Sequence, residues 1–175
     1  QMSTHNKNQD LTNLASPKIG TKIIEVSDDF FGEVSRMLDD KEPVFIEDKY
    51  DEHGKWMDGW ESKRRRDGGN DWAIIELGSP GIITEIDIDT SFFTGNFPPF
   101  ASIEGLYSDQ KPSKDSDWIE ILSKTSLKGD SGNKFKIESK TKVNFIKLQI
   151  FPDGGVARLR LFGEVKLNWE FYFTK

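Results

Sequence analysis

Cysteine is absent from the 175 residues, so no disulfide holds this fold together. Histidine is almost absent, with His5 and His53 the only two. A zinc site of the usual nitrogen and sulfur kind is therefore disfavoured, and a Ser-His-Asp arrangement would rest on His53 alone. No apolar run approaches the ~20 residues that a membrane-crossing helix needs. No Gly-rich phosphate loop joins a strand to a helix, and no Asn-x-Ser/Thr sequon occurs. Positive charge is in the minority: 24 Lys and Arg face 30 Asp and Glu, for a net charge of -6 and a pI near 5.0. Nucleic-acid binding needs a basic face that displaces counterions, so that partner class and the membrane are both set aside. The polar start from Gln1 to Asn13 has no apolar signal segment. With no cysteines and no sequons, this gives the expectation of a cytoplasmic protein.

What is present suits one core. The chain is 35% hydrophobic and 12% aromatic, and its length fits a single domain. Residues 1–13 read as a loose tail, 14–165 as the folded module, and 166–175 as an aromatic tail of open role, either an edge strand or an artificial end. Lys22 to Val26 reads as a short strand. Ser27 has the chemistry of a helix cap. Phe30, Val34, Met37 and Leu38 follow at helical spacing and predict one short helix over Phe30 to Leu38. Lys49 to Asn70 is irregular and charged. From Asp71 onward the period is two. Strands are expected over Trp72–Leu77, Ile82–Thr90, Phe100–Tyr107, Trp118–Leu122, Asn133–Glu138, Val143–Phe151 and Val156–Glu164. Gly78-Ser79-Pro80-Gly81 is read as a turn between the first two. Many short strands with turn punctuation predict an all-β sandwich or barrel.

Three segments can carry chemistry. Lys55 to Arg66 packs Trp56, Trp60, Asp58, Glu61 and a basic run around Asp58-Gly59, followed by Asp71-Trp72. It reads either as a structural loop in which Trp60 covers a core edge or as a polar site. Asp89 to Pro99 begins where a strand ends; Asp89 and Asn96 either bond local backbone or serve a site at the rim. Pro152 to Gly163 holds Asp153-Gly154, then Ala157, Leu159 and Leu161 on one strand face, with Arg158 and Arg160 on the other. Two arginines in register either stand exposed or grip a carboxylate through paired hydrogen bonds.

Taken in order, Asp58-Gly59-Trp60-Glu61-Ser62 with its basic run and Asp71-Trp72, then Asp89 to Asn96, then Pro152 to Arg160 resemble the allantoicase family. Leu14-Ala15-Ser16 and Ser27 to Phe31 match its N-terminal pattern. The resemblance runs from Leu14 to Gly163. It implies a jelly-roll β-sandwich similar to galactose-binding and discoidin-type domains, to which the spacing above adds one short N-terminal helix. It also implies hydrolysis of allantoate to ureidoglycolate and urea in purine breakdown. Allantoicases resemble two tandem copies of this module, and the single copy here is most like the N-terminal one. It is read as a truncated half, an isolated module or a homo-oligomer replacing the pair.

That chemistry needs a guanidinium to hold the substrate carboxylate, for which Arg64, Arg65, Arg158 and Arg160 are the candidates. It also needs an acid and a base with separated pKa values, drawn from Asp58, Glu61, Asp89 and Asp153. Asn96 and Trp60 are candidates for the ureido groups. Clustered carboxylates can hold Mn²⁺ or Mg²⁺ through oxygen. The alternatives are a non-catalytic module binding a small polar ligand such as a sugar, or an inactive half serving assembly alone.

Overall fold

Alternating apolar and polar residues make strands with one buried face, and strands dominate the chain. A computed structural model describes residues 11–167. Residues 1–10 and 168–175, with His5 and the aromatic run 169–173, lie outside the described residues. In chain order the strands are β1 (Thr12–Asn13), β2 (Lys22–Val26), β3 (Tyr50–Asp51), β4 (Gly54–Lys55), β5 (Trp60–Glu61), β6 (Asp71–Asp89), β7 (Phe100–Leu106), β8 (Ile119–Ser126), β9 (Gly132–Lys136), β10 (Lys142–Phe151), β11 (Gly155–Val156) and β12 (Arg158–Val165).

Strand β6 organises the molecule, because its 19 residues serve two layers. Its first half pairs with β2 and β10; β10 pairs onward with β7, and β7 with β8. Its second half pairs with β12 and β9, and β12 with β1. Every ladder is antiparallel. The core fills the space between the layers. Ala73, Ile75, Ile146, Leu148 and Ile150 meet Ile86, Ile88, Leu159 and Leu161, and none has exposed surface. Each such aliphatic side chain contributes about 1.5–3 kcal/mol by leaving water. Ala157, Leu159 and Leu161 are all buried, as their shared strand face requires.

Several expectations are corrected here. Gly78 to Gly81 form no turn, and β6 runs straight through them. A side chain at Gly78 would collide with the Ile19 carbonyl, and one at Gly81 would sit 2.5 Å from the Glu164 carbonyl. These glycines admit neighbouring backbone instead of reversing the chain. The helix over Phe30 to Leu38 shrinks to a 3-10 turn at Val34–Leu38, with another at Pro17–Ile19. Ser27 does not cap it, because its hydroxyl donates to Asp71 Oδ1 and accepts from the Trp72 N–H. At the start of the chain, Thr12 and Asn13 join the sheet through β12 and Leu14 is fully buried. The irregular stretch 49–70 contains the β3–β4 hairpin and β5. Ala157 interrupts the last expected strand, dividing it into β11 and β12.

On the outer face of β6, Asp87 lies opposite Arg160 on one side and Lys134 on the other. Its Oδ1 is buried without a partner. Burial raises its pKa from 3.8 to about 6, the neighbouring Asp89 charge adds to this, and Lys134 and Arg160 oppose it. The folded state thus holds this proton more tightly than the unfolded chain. Its contribution to stability is full below about pH 4 and is lost as pH rises toward 6. Because the side chain is partly solvated, the effect is expected at about 1 kcal/mol, well below the full shift. Asp87→Asn is therefore expected to raise Tm at pH 7 by a few degrees and to leave it unchanged at pH 4. Thermal melts at both pH values check this, and an equal difference at both would refute it.

Candidate active site

The site is assembled by backbone pairing among three loops. Glu61 lies opposite Gly155 and Trp60 opposite Val156 in the β5–β11 ladder. The Ser62 N–H donates to the Gly154 carbonyl at 3.1 Å, and the Gly154 N–H returns to Ser62 Oγ at 3.2 Å. The Gly155 N–H donates to the Asn96 carbonyl at 2.8 Å. Gly154 has φ +133°, and a Cβ there would stand 2.7 Å from the Pro98 nitrogen, so only glycine fits. The segments holding Glu61, Asn96 and Asp153 are thereby fixed side by side.

Between them lies a cavity of about 530 Å³, lined by Glu61, Arg64, Arg65, Asn96 and Asp153, with Phe31 and Phe97 among its apolar walls. Asn96 Nδ2 donates to Glu61 Oε2 at 3.1 Å. Asp153 Oδ2 accepts the Arg65 backbone N–H at 2.8 Å. The Glu61 carboxyl is held above its ordinary pKa, chiefly by burial and further by the Asp153 charge, against the opposing Asn96 hydrogen bond. The Arg65 guanidinium is committed to Asp67 at 2.9 Å and to the fully buried Asp71 at 2.7 Å. Arg64 is exposed at the cavity, and no hydrogen bond or ion pair engages its side chain among the described residues. Its direction is set by its neighbours: Asp28 Oδ2 accepts the Lys63 N–H, and Asp153 accepts that of Arg65.

Five of the ten candidates are thus brought together, and five are placed elsewhere. Trp60 is buried in the core, its indole N–H donating to the Asp28 carbonyl at 2.8 Å, so no ring face is offered to a ligand. Arg158 is 1% exposed. It donates to the carbonyls of Lys41, Arg36, Asp58 and Ala157 and pairs with Asp58 Oδ2 at 2.8 Å. Asp58 completes its shell with the Val44 N–H. Arg160 turns to the carbonyls of Asp39, Asp40 and Lys41. Asp89 Oδ1 accepts from Ser91 N–H and Oγ, closing the turn after β6. The arginine face of β12 is covered by the chain from Arg36 to Lys41, which strand periodicity does not disclose. Sequence reasoning gave no role to Ser62, the buried hydroxyl that clamps Gly154, although it sits inside the first motif.

Among the described residues no group of three or more metal-ligating side chains gathers. In the cavity, one carboxylate oxygen accepts from Asn96 and another from the Arg65 N–H. This donor set does not make the oxygen-rich shell that Mg²⁺ or Mn²⁺ takes.

A family model described as an allantoicase repeat matches residues 12–166. A curated protein of Acinetobacter baylyi named "Probable allantoicase" is 49% identical over 158 residues, which cover 90% of this chain and 47% of that protein. The crystal structure of allantoicase from Saccharomyces cerevisiae superposes with a TM-score of 0.80 at 30% identity, over 95% of this chain and 54% of that one. The present chain therefore spans about half the length of these relatives. A chitosan-binding module from a Paenibacillus chitosanase/glucanase superposes at TM-score 0.61 and 14% identity, over 87% of this chain and 99% of that one, a likeness of jelly-roll fold alone.

The buried guanidinium yields a stability prediction. Arg158→Met removes the charge partner of the Asp58 carboxylate, which keeps only the Val44 N–H, and takes one donor from each of four carbonyls, with an expected cost of about 3–5 kcal/mol. A thermal or urea melt reads this directly. Arg158→Met with wild-type stability would show that the residue has no structural role.

Proposed function

Because the chain belongs to the allantoicase family, we propose that it hydrolyses allantoate to ureidoglycolate and urea in the cavity between the 61–65, 95–99 and 152–154 segments. Allantoate carries one carboxylate and two ureido groups on a single carbon. Arg64, the cavity guanidinium uncommitted among the described residues, binds the carboxylate through paired hydrogen bonds. Asn96 orients a ureido group with its amide. Glu61, whose pKa burial raises above the ordinary carboxyl value, gives its proton to the nitrogen of the departing urea. The second oxygen of Asp153 removes a proton from water, whose oxygen bonds to the central carbon as the C–N bond breaks. The proton gained by Asp153 returns to Glu61 through solvent. The two carboxylates fit different roles because their surroundings differ, one half-buried beside an amide and the other fixed by a backbone N–H.

What supports this reading most is the convergence of an uncommitted guanidinium with two unlike carboxylates in one cavity of a chain from this family. We place the protein in the cytoplasm; among the described residues no helix is long and apolar enough to cross a membrane. We also propose that it works as a homo-oligomer.

The test is urea release from allantoate by the full chain. Glu61→Gln is expected to lower kcat by about 10²–10⁴-fold. Arg64→Ala is expected to raise KM, and Arg158 variants to act only through folding. The wild-type rate should fall as pH rises through the Glu61 pKa, and this alkaline limb should vanish in Glu61→Gln. A folded wild type that releases no urea above background overturns the proposal.

A further inference from the structure

Gly95, Gly154 and Gly155 lie in the segments that frame the cavity, and they are glycine for different reasons. Two are required by packing. A Cβ at Gly154 would press on the Pro98 nitrogen, and one at Gly155 would collide with the Phe93 ring. Gly95 is under no such constraint. It lines the cavity, its φ lies outside the left-handed region, and a Cβ there would meet no atom within 4 Å. An alanine would fit and would favour the folded state, because glycine loses more backbone freedom on folding. What the missing side chain provides is open space at the cavity wall.

The main chain beside that space is uncommitted as well. Elsewhere around the cavity, the Ser62 N–H is taken by the Gly154 carbonyl, that of Gly154 by Ser62 Oγ, and that of Arg65 by Asp153. The N–H groups of Gly95 and Asn96 enter no hydrogen bond among the described residues, while the Asn96 carbonyl is held by the Gly155 N–H. Phe31, Phe97, Pro99 and Pro152, which line other parts of the cavity, carry no side-chain donor. A bare glycine lets a polar ligand group come close to backbone donors.

We propose that Gly95 is a specificity-determining residue, and that the backbone at Gly95 and Asn96 receives the second ureido group of the substrate. The inference rests on the reading of this cavity as an allantoate site. Allantoate sets its carboxylate and two planar ureido groups around one tetrahedral carbon. With the carboxylate on Arg64 and the departing ureido group between Glu61 and the Asn96 amide, the remaining ureido group must leave in a third direction. Its carbonyl oxygen needs donors and its plane needs room, and this stretch of chain offers both. At about 530 Å³ the cavity has the size of a small-molecule site. A ligand with a single ureido group would leave the place beside Gly95 empty.

Calorimetric titration of the full chain with two ligands tests the proposal. One is allantoate; the other is N-carbamoylglycine, which keeps the carboxylate and one ureido group and lacks the second. All titrations use a Glu61→Gln background, so that allantoate stays intact. Gly95→Val is expected to weaken allantoate binding about tenfold or more, and Gly95→Ala by less. Both variants are expected to bind N-carbamoylglycine as the background protein does and to keep its Tm; if Gly95→Val fails to fold, Gly95→Ala decides. Equal losses for both ligands overturn the proposal, as does no loss for either, or a background protein that binds neither. Urea release by the wild type is measured separately. A wild type that releases urea, with Gly95 variants that bind allantoate normally, refutes the role of Gly95 and leaves the hydrolytic reading standing. Selective loss of allantoate binding in the variants of a chain that releases no urea refutes hydrolysis and leaves the role of Gly95 standing.

Discussion

The guanidinium of Arg158 is the point on which the rest of the molecule turns. It sits at the start of β12 with almost no exposed surface and joins four stretches of chain, at Arg36, Lys41, Asp58 and Ala157. A buried ion pair is weak evidence of net stability, because desolvation of both partners offsets much of the attraction. Here the geometry answers that objection. The carboxylate neutralises the charge, and main-chain carbonyls occupy other donors that would otherwise face an apolar interior. Those carbonyls lie in segments with few strand partners of their own. The interaction thus orders the irregular 36–59 region, and Gly59 runs directly into β5.

From β5 the consequence passes to the site. The β5–β11 ladder, the paired Ser62–Gly154 bonds and the Gly155–Asn96 bond set three loops in register. Main-chain bonds of this kind leave little freedom for a loop to drift, so the side chains they carry meet in a fixed arrangement. Polar groups are then divided between architecture and cavity. Arg158, Arg160 and Asp58 satisfy carbonyls and each other, and Asp89 closes a turn. Arg65 is divided between Asp67 and Asp71. Arg64 remains without such a partner among the described residues, held in place by the backbones on either side of it.

The strands were largely legible, because a period of two in residues such as Ile86, Ile88, Leu159 and Leu161 has one physical meaning when one face is buried. The candidate site was drawn from three motifs at strand ends, since loops on a rigid frame carry a disproportionate share of chemistry. What could not be read was which motif residues face the cavity. Trp60 and Glu61 are adjacent in a strand, so one must point inward when the other points out. Arg158 and Arg160 share a face, but the chain covering that face comes from over a hundred residues earlier. Gly78-Ser79-Pro80-Gly81 has the composition of a turn and the role of a strand, because the glycines make room for Ile19 and Glu164 backbone. Ser27 and Phe30 to Leu38 carry helix signals that were overridden once Asp71 and Trp72 engaged the Ser27 hydroxyl.

The chain's charge distribution resolves an apparent conflict between its composition and the anionic substrate proposed for it. A net charge of -6 repels a carboxylate at long range, but at physiological ionic strength that field fades within about 8 Å. What an approaching anion meets at the cavity is local. Of the four consecutive cations Lys63 to Arg66, Arg64 and Arg65 line it, and the Arg65 guanidinium is neutralised by carboxylates. Asp153 and Glu61 would weaken that attraction if both were fully ionised and free. Asp153, however, accepts a main-chain N–H, and burial favours the neutral form of Glu61. A concave surface concentrates the field of the charges that line it more than an open one does. An acidic protein can in this way present an uncommitted guanidinium to an anion, and in the proposed mechanism the protonated form of Glu61 that favours anion binding is also the one that supplies the leaving group's proton.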